Sequence, residues 1–164
     1  MPTKEAKLIT YKEITHNQSI RGYIEQADKT LGALGYTEHS FAHVTITANV
    51  SSMILEALGY SERECELARI AGFMHDIGNV VNRIDHAQSG AVIAFTLLEN
   101  MGMPPHEIAL IVNAIGHHDE ATAAAVSPVA AALILADKTD VRRSRTRNRD
   151  YLTYDIHDRV NHAV

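Results

Sequence analysis

The stretch from Ser61 to Gly78 constrains the fold more than any other in this chain. Ser61 followed three residues later by Glu64 is a capping box, a helix start in which the two residues satisfy each other's unpaired backbone groups. Leu67, Ala68, Ala71 and Met74 then fall at three- and four-residue steps, the spacing of one helical face. At the end of that apolar run stand His75 and Asp76, with a glycine at position 78. An imidazole and a carboxylate side by side cannot both enter an apolar interior without strong partners. The helix must therefore be buried along its length and met at its end by polar groups from other segments.

The rest of the chain supplies helices to do this. Ile20, Tyr23, Ile24, Ala27, Leu31 and Leu34 predict an amphipathic helix over about 17–34, stopped by Gly35. Thr37 is the expected cap of a second helix reaching Leu58 and Gly59, and His39 and His43 lie one turn apart on it. Asp85 is the expected cap of a helix with His86 in its first turn, and its stripe of Gly90, Ala91 and Ala94 lets another helix approach closely. Pro104-Pro105 opens a helix with Ile108, Ile111, Val112 and Ile115 buried, closing at Gly116-His117-His118-Asp119-Glu120. Ser127-Pro128 caps another, which carries Asp137 midway or late. Residues 155–164 have helical character, and residues 1–15 read as an extension or a short first turn. With no convincing strand and no internal repeat, the expectation is an all-α bundle of about six to eight helices in one domain. Its core spans about residues 17–150, and 141–164 form a basic segment and a C-terminal helix.

Composition excludes several classes. The formal net charge is -5, so there is no overall electrostatic case for duplex nucleic acid. The one cysteine, Cys65, allows no internal disulfide, and its setting between Glu64 and Glu66 raises a thiol pKa rather than activating it, so it reads as structural. No apolar run reaches the roughly 18 residues of a membrane span, and the N-terminus lacks a signal-peptide layout. A soluble, cytoplasmic protein with no membrane partner is expected.

The polar residues left over at the helix ends are His43, His75, Asp76, His86, His118 with His117 beside it, and Asp137. Imidazoles and carboxylates together suit divalent ions such as Mn, Fe, Co, Ni or Zn. The absence of thiolates from the set argues against a closed structural zinc site. Asp76 is the natural bridge between two ions, because a carboxylate has two oxygens.

The order His43 … His75-Asp76 … Asp137 resembles the HD superfamily of metal-dependent phosphohydrolases. The segment from Leu58-Gly59-Tyr60-Ser61 to His75-Asp76-Ile77-Gly78 is similar to that family around its name-giving motif. His86-Ala87-Gln88-Ser89-Gly90-Ala91 looks like the further histidine of the binuclear branch, which includes the HD-GYP phosphodiesterases. Ala114-Ile115-Gly116-His117-His118-Asp119-Glu120 and Ala136-Asp137-Lys138-Thr139-Asp140 resemble the next histidine and the closing aspartate. The resemblance covers roughly residues 35–150 and implies an HD-type domain holding one or, preferably, two divalent ions. It implies His43, His75, Asp76 and Asp137 at the first ion, and Asp76, His86 and His118 (or His117) at the second. It implies a metal-bridging hydroxide attacking the phosphorus of a small phosphorylated substrate or nucleotide, with Asp76 as the catalytic residue. His39 reads as a partner of these ligands or as a contact to an additional metal.

Two departures matter. Asn79 stands where many relatives have lysine, and the Gly-Tyr-Pro of the cyclic-dinucleotide branch is replaced by Ala121-Thr122-Ala123. Cyclic di-GMP is therefore not carried over as a substrate. Arg83, Lys138, Arg142, Arg143 and Arg145 are the available phosphate-binding cations. The run of five arginines over 142–149 reads equally as a solvated tail or interaction surface and as a phosphate-binding segment. Two rival readings are a catalytically silent ligand-sensing domain and, more weakly, an RNA- or nucleotide-binding module. A homo-oligomer is compatible with either.

Overall fold

The computed structural model describes residues 7–164, and among these there is no strand. Eight α-helices follow in order: α1 (Tyr11–His16), α2 (Gln18–Ala33), α3 (Phe41–Ala57), α4 (Glu62–Met74), α5 (His86–Met101), α6 (Pro105–Gly116), α7 (Pro128–Asp137) and α8 (Ile156–His162). Short 3-10 turns occupy Ile77–Val80, Arg143–Arg145 and Tyr151–Thr153.

Helix α4 is the centre of the bundle because its second half is apolar almost all round. From Leu67 to Met74 every residue but Arg69 is buried, the signature of a helix packed on several sides. It pairs most extensively with α3, while α6, α7 and α1 cover its other faces. The α3–α4 approach is close because Gly72 has no Cβ; one built there would lie 2.7 Å from the Ala48 Cα. Ile20, Ile70, Met74, Ile111, Ile115 and Leu133 fill the fully buried core between the helices.

The expected capping box forms: Ser61 Oγ accepts the Glu64 N–H at 3.3 Å, and Glu64 Oε2 accepts the Ser61 N–H at 3.0 Å. Ser127 caps α7 by accepting the Ala130 N–H, with Pro128 in the first helical position. Gly35, Gly59 and Gly102 follow their helices with φ near +80 to +90°, where a side chain would be strained.

Two local expectations are corrected. Ser40, not Thr37, caps α3. The His39 N–H, one of the donors a Thr37 cap would accept, goes to Asp28 instead. Asp85 precedes α5 but makes no capping hydrogen bond, since its backbone is left-handed (φ 56°). Residues 7–15 include the short first turn that is the alternative to an extension: Thr10 and Glu13 form a second capping box, and Ile9 and Ile14 lie in the core. The remainder of the expected extension, residues 1–6, lies outside the described residues. No helix among the described residues is long and apolar enough to cross a membrane.

Candidate metal centre

The ends of five helices meet at one end of the bundle. His43 lies in the first turn of α3, His75 and Asp76 directly follow α4, and His86 begins α5. His118 follows α6, and Asp137 is the last residue of α7. All six are buried except Asp137, whose side chain is 15% exposed.

Asp76 lies between two sets of nitrogens. Its Oδ2 is 2.9 Å from His75 Nε2 and 3.4 Å from His43 Nε2, while its Oδ1 is 3.5 Å from His86 Nε2 and 3.9 Å from His118 Nε2. On the first side Asp137 Oδ1 comes within 3.2 Å of His43 Nε2 and 3.5 Å of His75 Nε2. His43, His75 and Asp137 form one group able to hold a metal ion, and His75, Asp76 and His118 form another.

The hydrogen bonds behind these rings decide which atoms face inward. The Nδ1 of His75 meets the Gly72 carbonyl at 2.8 Å, that of His118 the Ile115 carbonyl at 2.7 Å, and that of His86 the Arg83 carbonyl at 3.1 Å. His43 Nδ1 meets Asp140 Oδ2 at 2.9 Å. Carbonyl and carboxylate oxygens only accept, so each Nδ1 carries the proton and each neutral ring turns a bare Nε2 toward Asp76. His86 and His118 then set two acceptor nitrogens 3.2 Å apart, a repulsive contact unless a cation or a proton lies between them. Likewise His43 Nε2, His75 Nε2 and Asp76 Oδ2 are buried with no hydrogen-bond partner, which is costly for polar atoms. The donor set therefore fits divalent transition ions.

Without an ion, protons satisfy the first side. Burial alone disfavours imidazolium, but Asp137, Asp140 and Asp76 outweigh it and raise His43 to about 9. Asp76 and Asp137 likewise overcome burial at His75 and raise it to about 10. Burial also opposes ionised Asp76 and Asp137, yet the histidines facing them hold both carboxyls well below the usual range. On the second side burial dominates, lowering His86 and bringing His118 down to about 4, so these two stay neutral.

A pH dependence follows. A raised histidine stabilises the fold fully below its unfolded pKa near 6.5, and that stabilisation is lost as pH rises through about 9 and 10. The depressed aspartates contribute above their unfolded value of 3.8 and lose their contribution on acidification. His39, His86 and His118, which burial lowers, contribute above 6.5 and lose that contribution on acidification, so metal-free protein should show its highest melting temperature near pH 6.5 and a decline toward pH 10. Excess Mn(II) should flatten the alkaline decline, because an ion replaces the protons. A melting temperature that is flat from pH 6.5 to 10 in chelator would contradict this account.

Two residues brace the ligands. Asn79 is fully buried and donates through Nδ2 to the Asp76 carbonyl and to Asp76 Oδ1, both at 3.0 Å. At this position an amide steers a carboxylate; it does not reach toward a phosphate. Asp140 holds His43 Nδ1 and is itself held by Arg142, whose Nε lies 2.6 Å from Asp140 Oδ1. Asp140→Asn should lower metal affinity about 10- to 100-fold, read by competition with a chromogenic chelator. Unchanged affinity would remove Asp140 from the site.

The cations divide. Arg83 and Lys138 line the cavity above the cluster; Arg83 Nη1 is 3.3 Å from His86 Nε2. Lys138 Nζ is 2.9 Å from Asp137 Oδ2 and 2.8 Å from Glu120 Oε1. Arg145 also reaches the cavity but spends Nη1 on the Asp140 carbonyl and Nε on the Glu38 carbonyl. Arg142 does not line the cavity; Asp140 and Glu38 engage it. Arg143 points to the Val164 carbonyl and Arg147 grips Asp28 through two 2.7 Å contacts. Much of the arginine run is thus a clamp between the C-terminal segment and the start of α3, not a solvated tail.

His118 joins the cluster, whereas His117 is only partly buried and turns its Nδ1 to the Asn113 carbonyl. His39 faces the cavity with Nε2 4.0 Å from Asp76 Oδ2, and burial lowers it to about 3. Sequence reasoning missed the α8 residues Ile156, His157, Val160 and Asn161, which also line this cavity. No periodic pattern signals where a chain returning through residues 146–155 will place them.

An all-α bundle with helix-end histidines and aspartates around one central carboxylate defines a helical domain of the His-Asp type, able to hold a metal ion. The HD domain model matches residues 40–142, and the chain belongs to that family, whose members are often metal-dependent phosphohydrolases. It is 24% identical over 159 residues to the uncharacterized protein MJ1020 of Methanocaldococcus jannaschii, covering 84% of this chain and 61% of that one. It is 31% identical over 134 residues to ribonuclease Y of Opitutus terrae (79% and 24%), and 30% identical over 142 residues to that of Oceanobacillus iheyensis (82% and 26%). The chain therefore spans about three fifths of the archaeal relative and about a quarter of each ribonuclease Y. No solved structure matches.

Proposed function

We propose that this domain hydrolyses a phosphate ester of a nucleotide or small phosphorylated metabolite with the help of two divalent ions. The observation that carries the reading is Asp76, whose two oxygens face separate sets of bare imidazole nitrogens. His43, His75, Asp76 and Asp137 would hold one ion, and Asp76, His86 and His118 the other. When bound, such ions supply Lewis acidity toward the phosphoryl oxygens and toward water.

The chain's own residues do the rest. Asp76 stays ionised and, steered by Asn79, fixes the spacing of the two halves. Arg83 and Lys138 bring positive charge to the cavity wall, where it can stabilise negative charge developing on the phosphoryl group. His39 donates Nδ1–H to the Thr37 carbonyl, leaving Nε2 as an acceptor that can orient a water beside Asp76. The ribonuclease Y relatives are named for RNA cleavage, which places phosphodiesters alongside monoesters as substrates to be tried.

The test is metal quantification followed by a panel of phosphomonoesters, phosphodiesters and nucleotides with Mn, Fe, Co, Ni or Zn. About two ions per chain and turnover of at least one ester class are expected. Fewer than one ion per chain overturns the binuclear reading, and two ions without any turnover favours a sensing domain instead.

A further inference from the structure

The cavity over the metal centre has a wall that the family match does not include. The match ends at residue 142, yet Ile156, His157, Val160 and Asn161 of α8 line the same cavity as Asp76, His118 and Lys138. Positions 156, 157, 160 and 161 are spaced to share one helical stripe. The stripe is held in place from behind: Asn161 Oδ1 accepts the Arg142 N–H at 3.0 Å, and Asn161 Nδ2 donates to the His157 carbonyl at 2.9 Å. Both ends of that amide are therefore occupied and cannot read a ligand.

What α8 does present is hydrocarbon. Ile156 is 63% and Val160 45% exposed, so their methyl groups gain by being covered. His157 Nε2 lies 4.0 Å from Glu120, which in turn pairs with Lys138. The volume is about 220 Å³, below the roughly 300–1,000 Å³ of sites that enclose drug-sized ligands. Such a space takes a phosphoryl group and the first ring attached to it. A polyol leaving group would need several hydrogen-bonding partners, which the α8 wall does not offer, whereas a flat ring needs only apolar contact.

We propose that Ile156 and Val160 form the leaving-group subsite and select esters whose leaving group presents a flat, apolar-faced ring directly at the phosphate, as aryl esters do. This rests on the phosphohydrolase reading above. The test measures binding, so it does not depend on turnover: affinities of Mn(II)-loaded protein for methylphosphonate and phenylphosphonate are compared by calorimetry, for the unaltered protein and for I156S/V160S. Because both side chains are exposed, the variant should fold, which circular dichroism checks.

The unaltered protein should prefer phenylphosphonate about tenfold, and the variant should bring the ratio close to one. Methylphosphonate binding with the same phenyl-to-methyl ratio in both proteins overturns the α8 subsite and leaves the phosphohydrolase reading intact. Absence of binding by either phosphonate overturns both.

Discussion

Replacing Asp76 with alanine should remove both bound ions and reduce phosphate-ester hydrolysis by more than about 10³-fold, the scale expected when several kcal/mol of charge stabilisation is lost. The effect is this large because one side chain serves both halves of the site. Oδ2 faces His43 and His75, and Oδ1 faces His86 and His118. Asp76→Asn is the informative companion, since it keeps the volume and one oxygen but removes the charge. It should bind ions more weakly without unfolding. Alanine should also destabilise the metal-free protein below neutral pH, where His75 would keep buried positive charge with Asp137 as its remaining carboxylate neighbour and His43 with Asp137 and Asp140. Breaking a buried pair in this way costs about 3–5 kcal/mol. Two ions per chain and undiminished hydrolysis in Asp76→Ala would refute the assignment.

Gly78→Ala should be as damaging to the fold as Asp76→Ala is to the chemistry. A Cβ at Gly78 would stand 1.9 Å from the His86 carbonyl oxygen and 2.5 Å from the Gly90 nitrogen. Both are backbone atoms, which cannot swing aside as a side-chain tip can. Relief requires α5 to move away from the Ile77–Val80 turn, and His86, its first residue, moves with it. Overpacking of this kind costs at least about 3 kcal/mol, roughly 6–12 °C in melting temperature for a chain of this size. Ion binding at the His86 and His118 side should weaken together with stability. Gly22→Ala is the control, because nothing lies within 4 Å of a Cβ there. A Gly78→Ala protein that melts with the unaltered one would show that this close approach relaxes at little cost.

These two residues also mark what the sequence makes legible. The helical elements, most core positions and the capping box at Ser61 follow from local spacing, because each is decided within a few residues of chain; Tyr23 and Leu34, read on the apolar face of α2, are exposed instead. Gly90, Ala91 and Ala94 correctly signal a close approach: α6 comes up to Ala91 at Gly116, and the 3-10 turn around Gly78 comes up to Gly90. The sequence places His43, His75, Asp76, His86, His118 and Asp137 near helix ends, and the fold brings those ends together. Spacing alone could not separate His117 from His118, since adjacent residues at a helix end differ only in the direction they leave it.

The arginine run was the least legible segment. Whether Arg142, Arg145 and Arg147 face solvent or protein depends on Asp140, Glu38 and Asp28. Two of those three partners lie more than 100 residues away in sequence. The same distance hides the α8 wall, and it places both features beyond any argument from periodicity.

That clamp has a kinetic consequence. The segment after Asp140 has no long helix of its own before α8 and stays in place through side-chain contacts to Glu38, Asp28 and Asp140. Segments held in this way open locally at a lower free energy than a central helix such as α4. Each opening would loosen the hold on Asp140, and through it on the His43 ring, while the bundle remained folded. Exchange of ions with the medium should then keep pace with fraying of residues 142–147, far faster than global unfolding permits.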